Sequence, residues 1–445
     1  MLNWKTLLPA AVLLAFGVAQ GFSQMAIELT LYAGFYLAGL YKKEYALYLF
    51  ALSYPFLTFR PIIFFLLVLI FLLLMEGIDK ERLMNVVKSK VFLAAAFFVL
   101  AVGITAVTSV NLRESMQDYV LYYLPSLVLL AVLMMFIDSR TVLYRFLLCF
   151  VVSGAVLALY GLAQYLLIGH TPPKWVDVKT NPLLGTRIYA VFGNPNVFAE
   201  YLVLVLPLCF ALIYYVKAFK HKILLCGLFA VTALALVLTY SRGAWVAFAF
   251  AMLLLLLKTD RKLILYGLIL VLVAAAFNLI PQVIMDRLAT IVNPTEDTSG
   301  DYRFKMWTAA FAIIRDYWLT GIGSDPSTLF RVYADYEIPG VNIFHLHNIW
   351  IQAFVNGGIL GIAALLYLFY RLLKESYTIS ANRLGGRQAT LGIALFASIT
   401  GIGVAGLNED IWHDYRVMMA FWIVTALIGS IEMMLRLGRN KDGTV

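Results

Sequence analysis

Ionisable residues are scarce in this chain. Asp, Glu, Lys and Arg make up 13% of its 445 residues, hydrophobic residues make up 62%, and the mean hydropathy is +0.87. A soluble domain carries about 25% charged residues, so that class is excluded. Cysteine is nearly absent: Cys149, Cys209 and Cys226 all lie in apolar runs, which excludes an external disulfide framework or a cysteine zinc site. No P-loop occurs, which argues against an ATPase. Gly401-Ile-Gly403-Val-Ala-Gly406 has dinucleotide-type spacing, but it lies within a hydrophobic run with no strand before it. Close helix packing explains those glycines.

Apolar runs recur from end to end, most of them long enough to cross a hydrocarbon core of about 30 Å as a helix. In lipid every backbone polar group must be satisfied internally, so helices are expected throughout. The crossings fall near residues 7–22, 25–41, 44–58, 61–78, 91–109, 118–137, 142–168, 194–217, 222–240, 243–257, 261–280, 348–373, 389–406 and 415–436. That makes fourteen helices; reading one short pair as re-entrant gives twelve. The expected fold is an all-α polytopic membrane protein forming a single membrane domain over 1–445, with 1–43 as an added amino-terminal hairpin.

The basic residues fix an orientation. Lys42-Lys43, Lys80 to Lys90, Arg140 with Arg145, Lys217 to Lys222, Lys258 to Lys262, Arg371 to Arg387, and Arg436 to Lys441 all fall on one side if the segments alternate. By the positive-inside rule that side is the cytoplasm, and both termini lie there. The same sorting accounts for the net charge of +9: it serves topology and anionic membrane lipids, and nucleic-acid binding is not expected. The first apolar segment lacks a small-residue cleavage site, so no signal peptide is expected.

Two outer loops are large, 169–193 and 281–347. In the second, Phe304, Trp307, Phe311, Ile314 and Trp318 recur at heptad-like spacing, predicting an amphipathic helix lying at the outer interface. The outer side also holds the chemistry. Only five histidines exist, and His345 and His347 stand together where this loop re-enters an apolar run; imidazole there can move protons near neutral pH. Arg187 precedes the Phe192-Gly193-Asn194-Pro195-Asn196 turn, Arg242 sits in the Ser241-Arg242-Gly243 turn, and Arg303 opens the interfacial helix. Three guanidinium forks suit a phosphate-bearing ligand. Each also has a plain reading, as a snorkelling arginine or, for Asn194 and Asn196, as a turn and helix cap. The spacing of His345 and His347 matches no recognised metal motif, and no metal or cofactor is expected.

At these residues the chain resembles the O-antigen ligase and O-antigen polymerase superfamily. The pattern His347-Asn348, nine residues, then Gly358-x-x-Gly361 is similar to its signature. The Ser241-Arg242-Gly243 turn, the Asn194-Pro195-Asn196 turn and the Arg303…Trp307…Gly321-x-Gly323 stretch resemble its other landmarks in the same order. The resemblance spans roughly residues 45–436.

It implies a multi-spanning, GT-C-like, metal-independent inverting glycosyltransferase. Such an enzyme takes a glycan from undecaprenyl diphosphate on the outer face of the bacterial cytoplasmic membrane. By the same resemblance Arg242 and Arg303 contact the diphosphate, with Arg187 beside them. His347 is the catalytic base, supported by Asn348, Asn194, Asn196 and His345, and the carboxylates Glu409, Asp410 and Asp414 are the next candidates. The expected acceptor is a lipid A core, as for a ligase; a second carrier-linked glycan, as for a polymerase, is the alternative. Relatives that glycosylate protein tend to be longer at the carboxy terminus. A transporter of lipid-linked sugar or anion is the reading from another class. It is disfavoured because the ionisable residues gather in loops and not at mid-membrane, Glu28, Glu200 and Glu432 apart.

Cysteine labelling tests the orientation. Ser299→Cys in intact cells is expected to react with a membrane-impermeant maleimide from outside; labelling from the cytoplasmic side alone would overturn the assignment of every loop.

Overall fold

The computed structural model describes residues 24–167, 186–292, 298–381 and 386–441. The 7–22 segment and most of the 169–193 loop, with His170 and Lys174, lie outside the described residues. The described residues hold seventeen α-helices and no strand. In chain order they are α1 Gln24–Tyr41, α2 Lys43–Ser53, α3 Phe59–Glu76, α4 Lys80–Val87, α5 Lys90–Val107, α6 Leu112–Phe136 and α7 Arg140–Leu167. After the first large loop come α8 Pro195–Tyr215, α9 Phe219–Leu238, α10 Arg242–Thr259, α11 Lys262–Ala276, α12 Gln282–Val292, α13 Thr298–Tyr317 and α14 Pro326–Tyr333. Three long helices close the chain: α15 Ile349–Ala381, α16 Gly386–Ala405 and α17 Tyr415–Lys441.

The all-α polytopic class is as expected; the count of fourteen is not confirmed among the described residues. Ten described helices are long and apolar enough to cross a membrane: α3, α5 to α10, and α15 to α17. The expected segments 25–41, 44–58 and 261–280 are helical yet fall outside that set. At 1.5 Å per residue the 11 residues of α2 and the 15 of α11 extend only about 16 and 22 Å, short of a full core.

Burial sorts the bundle. α8 and α17 are apolar on every side and lie at its centre, with 89% and 94% of their most apolar windows buried, whereas α9 and α10 are 22% buried and form its rim. A helix hydrophobic all round belongs inside other helices. α8 packs against α16, α9 and α7, while α15 packs against α5 and α16. α1 joins the bundle through stacked rings, Tyr32 on Phe64 at 4.1 Å and Phe35 on Phe65 at 4.0 Å. In α6 Pro125 has no N–H to give the preceding turn, and the helix takes a π turn over Tyr119–Tyr123, a familiar response to a broken ladder.

The basic loops meet at one end of the bundle, where Lys43 pairs with Glu76 at 2.7 Å, Arg82 donates to the Met134 carbonyl, and Arg436 donates to the Lys88 carbonyl. The polar region 281–347 folds onto the opposite end around its own small core, which includes Met306, Ile313, Leu329, Ile343 and Leu346.

This core shows which face of the interfacial helix packs on the protein. α13 buries Met306, Ala309, Ala310 and Ile313, while Phe304, Phe311 and Trp318 stay 49 to 57% exposed. Small residues let α13 seat closely on the loop beneath, and the large rings point away.

The attachment of this region rests on glycine. α15 breaks at Gly358, whose φ of +56° and ψ of −153° are not helical. The break frees carbonyls for other donors: the amides of Ile322 and Gly323 bond to the carbonyls of Val355 and Asn356, each at 2.9 Å, and the Ile359 amide bonds to the Trp318 carbonyl at 2.8 Å. The Gly321-x-Gly323 and Gly358-x-x-Gly361 landmarks, 35 residues apart, are therefore two halves of one backbone joint.

A Cβ at Gly358 would stand 2.5 Å from the Leu319 carbonyl oxygen. Gly358→Ala is expected to cost about 2 kcal/mol or more from left-handed strain and this clash, lowering the melting temperature by roughly 5 °C. Gly227→Ala, whose Cβ meets nothing within 4 Å, is the matched control and is expected to be neutral or slightly stabilising. Equal melting curves for the two variants would contradict the joint.

Candidate functional site

The site is built from loops that converge where the outer region meets the bundle. Leu346 is fully buried and anchors the histidine loop: its amide donates to Gln352 Oε1 at 2.8 Å and its carbonyl accepts from Trp307 Nε1 at 2.8 Å. His347 follows with φ of +46°, a left-handed conformation that a non-glycine residue holds only when its neighbours impose it. Asn348 is one such neighbour. Its Oδ1 caps α15 by accepting from the amides of Trp350 and Ile351 at 3.0 Å, and its Nδ2 donates to the Leu407 carbonyl at 3.0 Å. Asn348 therefore joins the histidine loop to the 406–414 loop, and its role is architectural.

Glu409 lies at the meeting point. Its Oε1 accepts from His347 Nδ1 at 2.5 Å and from His345 Nε2 at 3.1 Å, while Oε2 accepts from Asn196 Nδ2 at 3.3 Å. Asn196 Oδ1 in turn accepts from Arg187 Nη2 at 2.8 Å, and Arg187 Nε donates to the Thr239 carbonyl at 2.8 Å. Asn194 Oδ1 caps α8 at the Asn196 amide, 2.9 Å away, with Pro195 opening the helix. Both plain readings of that turn hold, and Asn196 adds a third role as the link from Arg187 to Glu409.

Electrostatics follow from this geometry. Burial opposes ionisation of Glu409, but its electrostatic pairing with His347 and hydrogen bonds from both histidines outweigh it, holding the carboxylate well below its ordinary range. Burial acts to lower His345, and the bond and charge of Glu409 overcome it, so His345 is raised. With N–H groups of both rings aimed at Glu409, the tautomers follow, and Nε2 of His347 is left as the proton acceptor. His413 stacks on His345 with centroids 4.2 Å apart.

Four guanidinium groups gather beside this cluster. Burial, followed by the positive charges of Arg287, Arg242 and Arg303, pushes Arg187 down to about 9, with Glu409 acting the other way. Arg187 remains a cation at neutral pH. The Ser241-Arg242-Gly243 turn can approach because Gly243 has no Cβ: one would stand 2.9 Å from Asn408, next to Glu409. The structure thus brings together Arg187, Arg242, Arg303, Asn196, His345 and His347, with Asn194 and Asn348 as caps. Glu409 is the residue of the secondary carboxylate set that enters the centre. Arg287 is not singled out by sequence; it is 8% exposed on α12, and its one signal is a lone arginine on a short amphipathic stretch.

His345, His347 and Glu409 also form a set able to hold a metal ion, with ligand atoms within 4.8 Å of one another. Two histidines and a glutamate are a known zinc set, but bonds of about 2.0–2.1 Å in a tetrahedron separate ligand atoms by about 3.3 Å. The His345 Nε2 to His347 Nδ1 and His345 Nε2 to Glu409 Oε1 separations of 3.1 Å are close to that value, and the 2.5 Å contact of His347 with Glu409 is shorter.

Residues 227–366 match the family model described as O-Antigen ligase, which supports the resemblance to that superfamily. The matched segment contains Arg242, Arg287, Arg303, His345, His347, Asn348, Gly358 and Gly361, while Arg187, Asn196 and Glu409 lie outside it. No curated protein matches the chain.

The Glu409 cluster has a pH signature. Glu409 is depressed, so its contribution to stability is complete above its ordinary 4.5 and is lost as pH falls through the depressed value. His345 is raised, so its contribution is complete below its ordinary 6.5 and is lost as pH rises through the raised value. Both are complete between 4.5 and 6.5. The difference in melting temperature between wild type and Glu409→Gln is expected to be greatest in that window, and parallel curves across pH 4 to 9 would refute the assignment.

Proposed function

We propose that this protein, which carries an O-antigen ligase segment over residues 227–366, transfers a glycan from undecaprenyl diphosphate to an acceptor hydroxyl on the outer face of the cytoplasmic membrane. The observation that carries the reading is the meeting of four guanidinium groups with a carboxylate-oriented histidine. A diphosphate is an anion whose geometry guanidinium forks fit.

In the reaction an acceptor oxygen attacks the anomeric carbon from the face opposite the diphosphate. The new C–O bond forms as the C–O bond to phosphorus breaks, the leaving diphosphate keeps the electron pair, and configuration inverts. His347 Nε2 takes the hydroxyl proton, while Glu409 holds the ring and favours the imidazolium that results. Arg242 and Arg303, with Arg187 and Arg287, stabilise charge growing on the diphosphate. The phospho-glycosyl bond supplies the free energy, so no nucleotide or metal is required. A lipid A core is the acceptor in the ligase form of this reading; a carrier-linked glycan is the acceptor in the polymerase form.

Transfer assays on purified protein with carrier-linked donor test this. His347→Ala is expected to lose about 10²- to 10⁴-fold in turnover while still folding and binding donor. Arg242→Ala and Arg303→Ala are expected to fall sharply, with lysine a poor replacement at either position, and EDTA is expected to leave wild-type activity intact. An active His347→Ala protein, or activity restored by added zinc alone, would remove the base assignment.

A further inference from the structure

A cavity of ≈ 290 Å³ lies on the far side of His345, between α5, α6, α15 and the 410–418 segment. Its chemistry is the reverse of the arginine cluster. Asp118, Asp325 and Asp410 line it, and none of the lining residues is Lys or Arg. Asp410 is 7% exposed; Oδ1 accepts from the Trp412 amide at 3.1 Å, and Oδ2 makes no hydrogen bond among the described residues. Asp410 lines the cavity, so a donor from a ligand can reach that oxygen. Tyr122 and Trp412 supply flat apolar faces, and Gln352 and Asn356 supply amides. The π turn of α6 spans Tyr122 and Tyr123, both of which line the cavity.

The cavity reaches the reaction centre through one ring. His345, which lines it, lies 3.1 Å from His347 Nδ1, and the Asp410 amide donates to Glu409 Oε1 at 3.4 Å. A ligand here would sit beside the proposed base and away from the diphosphate contacts.

We propose that this cavity is the acceptor subsite, and that it takes one neutral or amino pyranose ring of the receiving glycan. The inference rests on the glycosyl-transfer reading and adds the class of sugar that is received. Carboxyl groups bond neighbouring hydroxyl groups as acceptors or, when protonated, as donors, so Asp118 and Asp410, with Asp325 partly taken up in capping α14, select a ring by its hydroxyls. Aromatic faces pack on the C–H side of such a ring. The volume is at the lower limit of small-molecule pockets, about 300–1,000 Å³, which suits one ring and not a chain of them.

Saturation-transfer NMR on the full chain in lipid nanodiscs, free of sugar-based detergent, tests this with three probes: methyl α-glucopyranoside, methyl α-galactopyranoside and inorganic pyrophosphate. At least one glycoside is expected to bind, and Asp118→Asn and Tyr122→Ala are each expected to weaken it about tenfold, the loss of one charge-assisted or stacking contact. Pyrophosphate binding is expected to survive both substitutions and to be lost in Arg242→Ala, which in turn keeps the glycoside. Tyr122→Phe, which keeps the ring face, is expected to retain glycoside binding if Tyr122→Ala unfolds. Binding of neither glycoside to wild type, or glycoside binding unmoved by Asp118→Asn and Tyr122→Ala, would overturn the subsite and leave the diphosphate reading standing. Pyrophosphate binding unmoved by Arg242→Ala would count against that reading instead.

Discussion

The arrangement of the site depends on one buried carboxylate. Glu409 accepts hydrogen bonds from His345, His347 and Asn196 at once, so three segments far apart in the chain are held by two oxygens. Charge-assisted bonds of this kind are about twice as strong as neutral ones, and the group that makes them has little water to turn to. Removing the carboxylate would leave two imidazole N–H groups and an amide without a partner. This is why the loop keeps His347 in a left-handed backbone that its side chain does not favour: the return from completing the cluster exceeds a strain of about 1–2 kcal/mol.

Glu409 can serve as that centre because the backbone around it is rigid. Asn348 ties its loop to the start of α15, and the Gly358 break lets the outer region bond directly to α15 without side chains in between. A joint made of amides and carbonyls has few soft torsions, so the outer region carries Arg303 and the histidine loop as a unit. Positioning to a fraction of an ångström is what a proton transfer beside a charged leaving group requires.

Charge is distributed in layers. Basic residues at the far end of the bundle are paired in short loops or bonded to helix-end carbonyls, and at the site four guanidinium groups gather, their like charges acting with burial to lower Arg187. Across the histidine pair the sign reverses, with aspartates lining the cavity. In the proposed transfer the diphosphate and the hydroxyl nucleophile lie on opposite faces of one carbon, and surroundings of different chemistry on the two sides of the histidine pair would let the two ligands be told apart.

The sequence by itself determined the class, most helix positions and most of the charged site. Apolar run length is set by the thickness of the membrane, and arginine or histidine in so apolar a chain is too costly to be placed idly. Arg187, Arg242, Arg303, His345 and His347 were all legible on that ground. The tertiary structure decided which of the described helices are long enough to cross, which face of α13 is buried, and that Gly321-x-Gly323 and Gly358-x-x-Gly361 form a single joint. It also decided that Glu409, one of three neighbouring carboxylates, is the one that orients the histidines, and that Arg287 completes the cation cluster. Those facts depend on contacts between residues 60 to more than 200 positions apart. Local composition and spacing describe what a segment can do alone, and the choice of partner is made only when packing brings two loops to the same point.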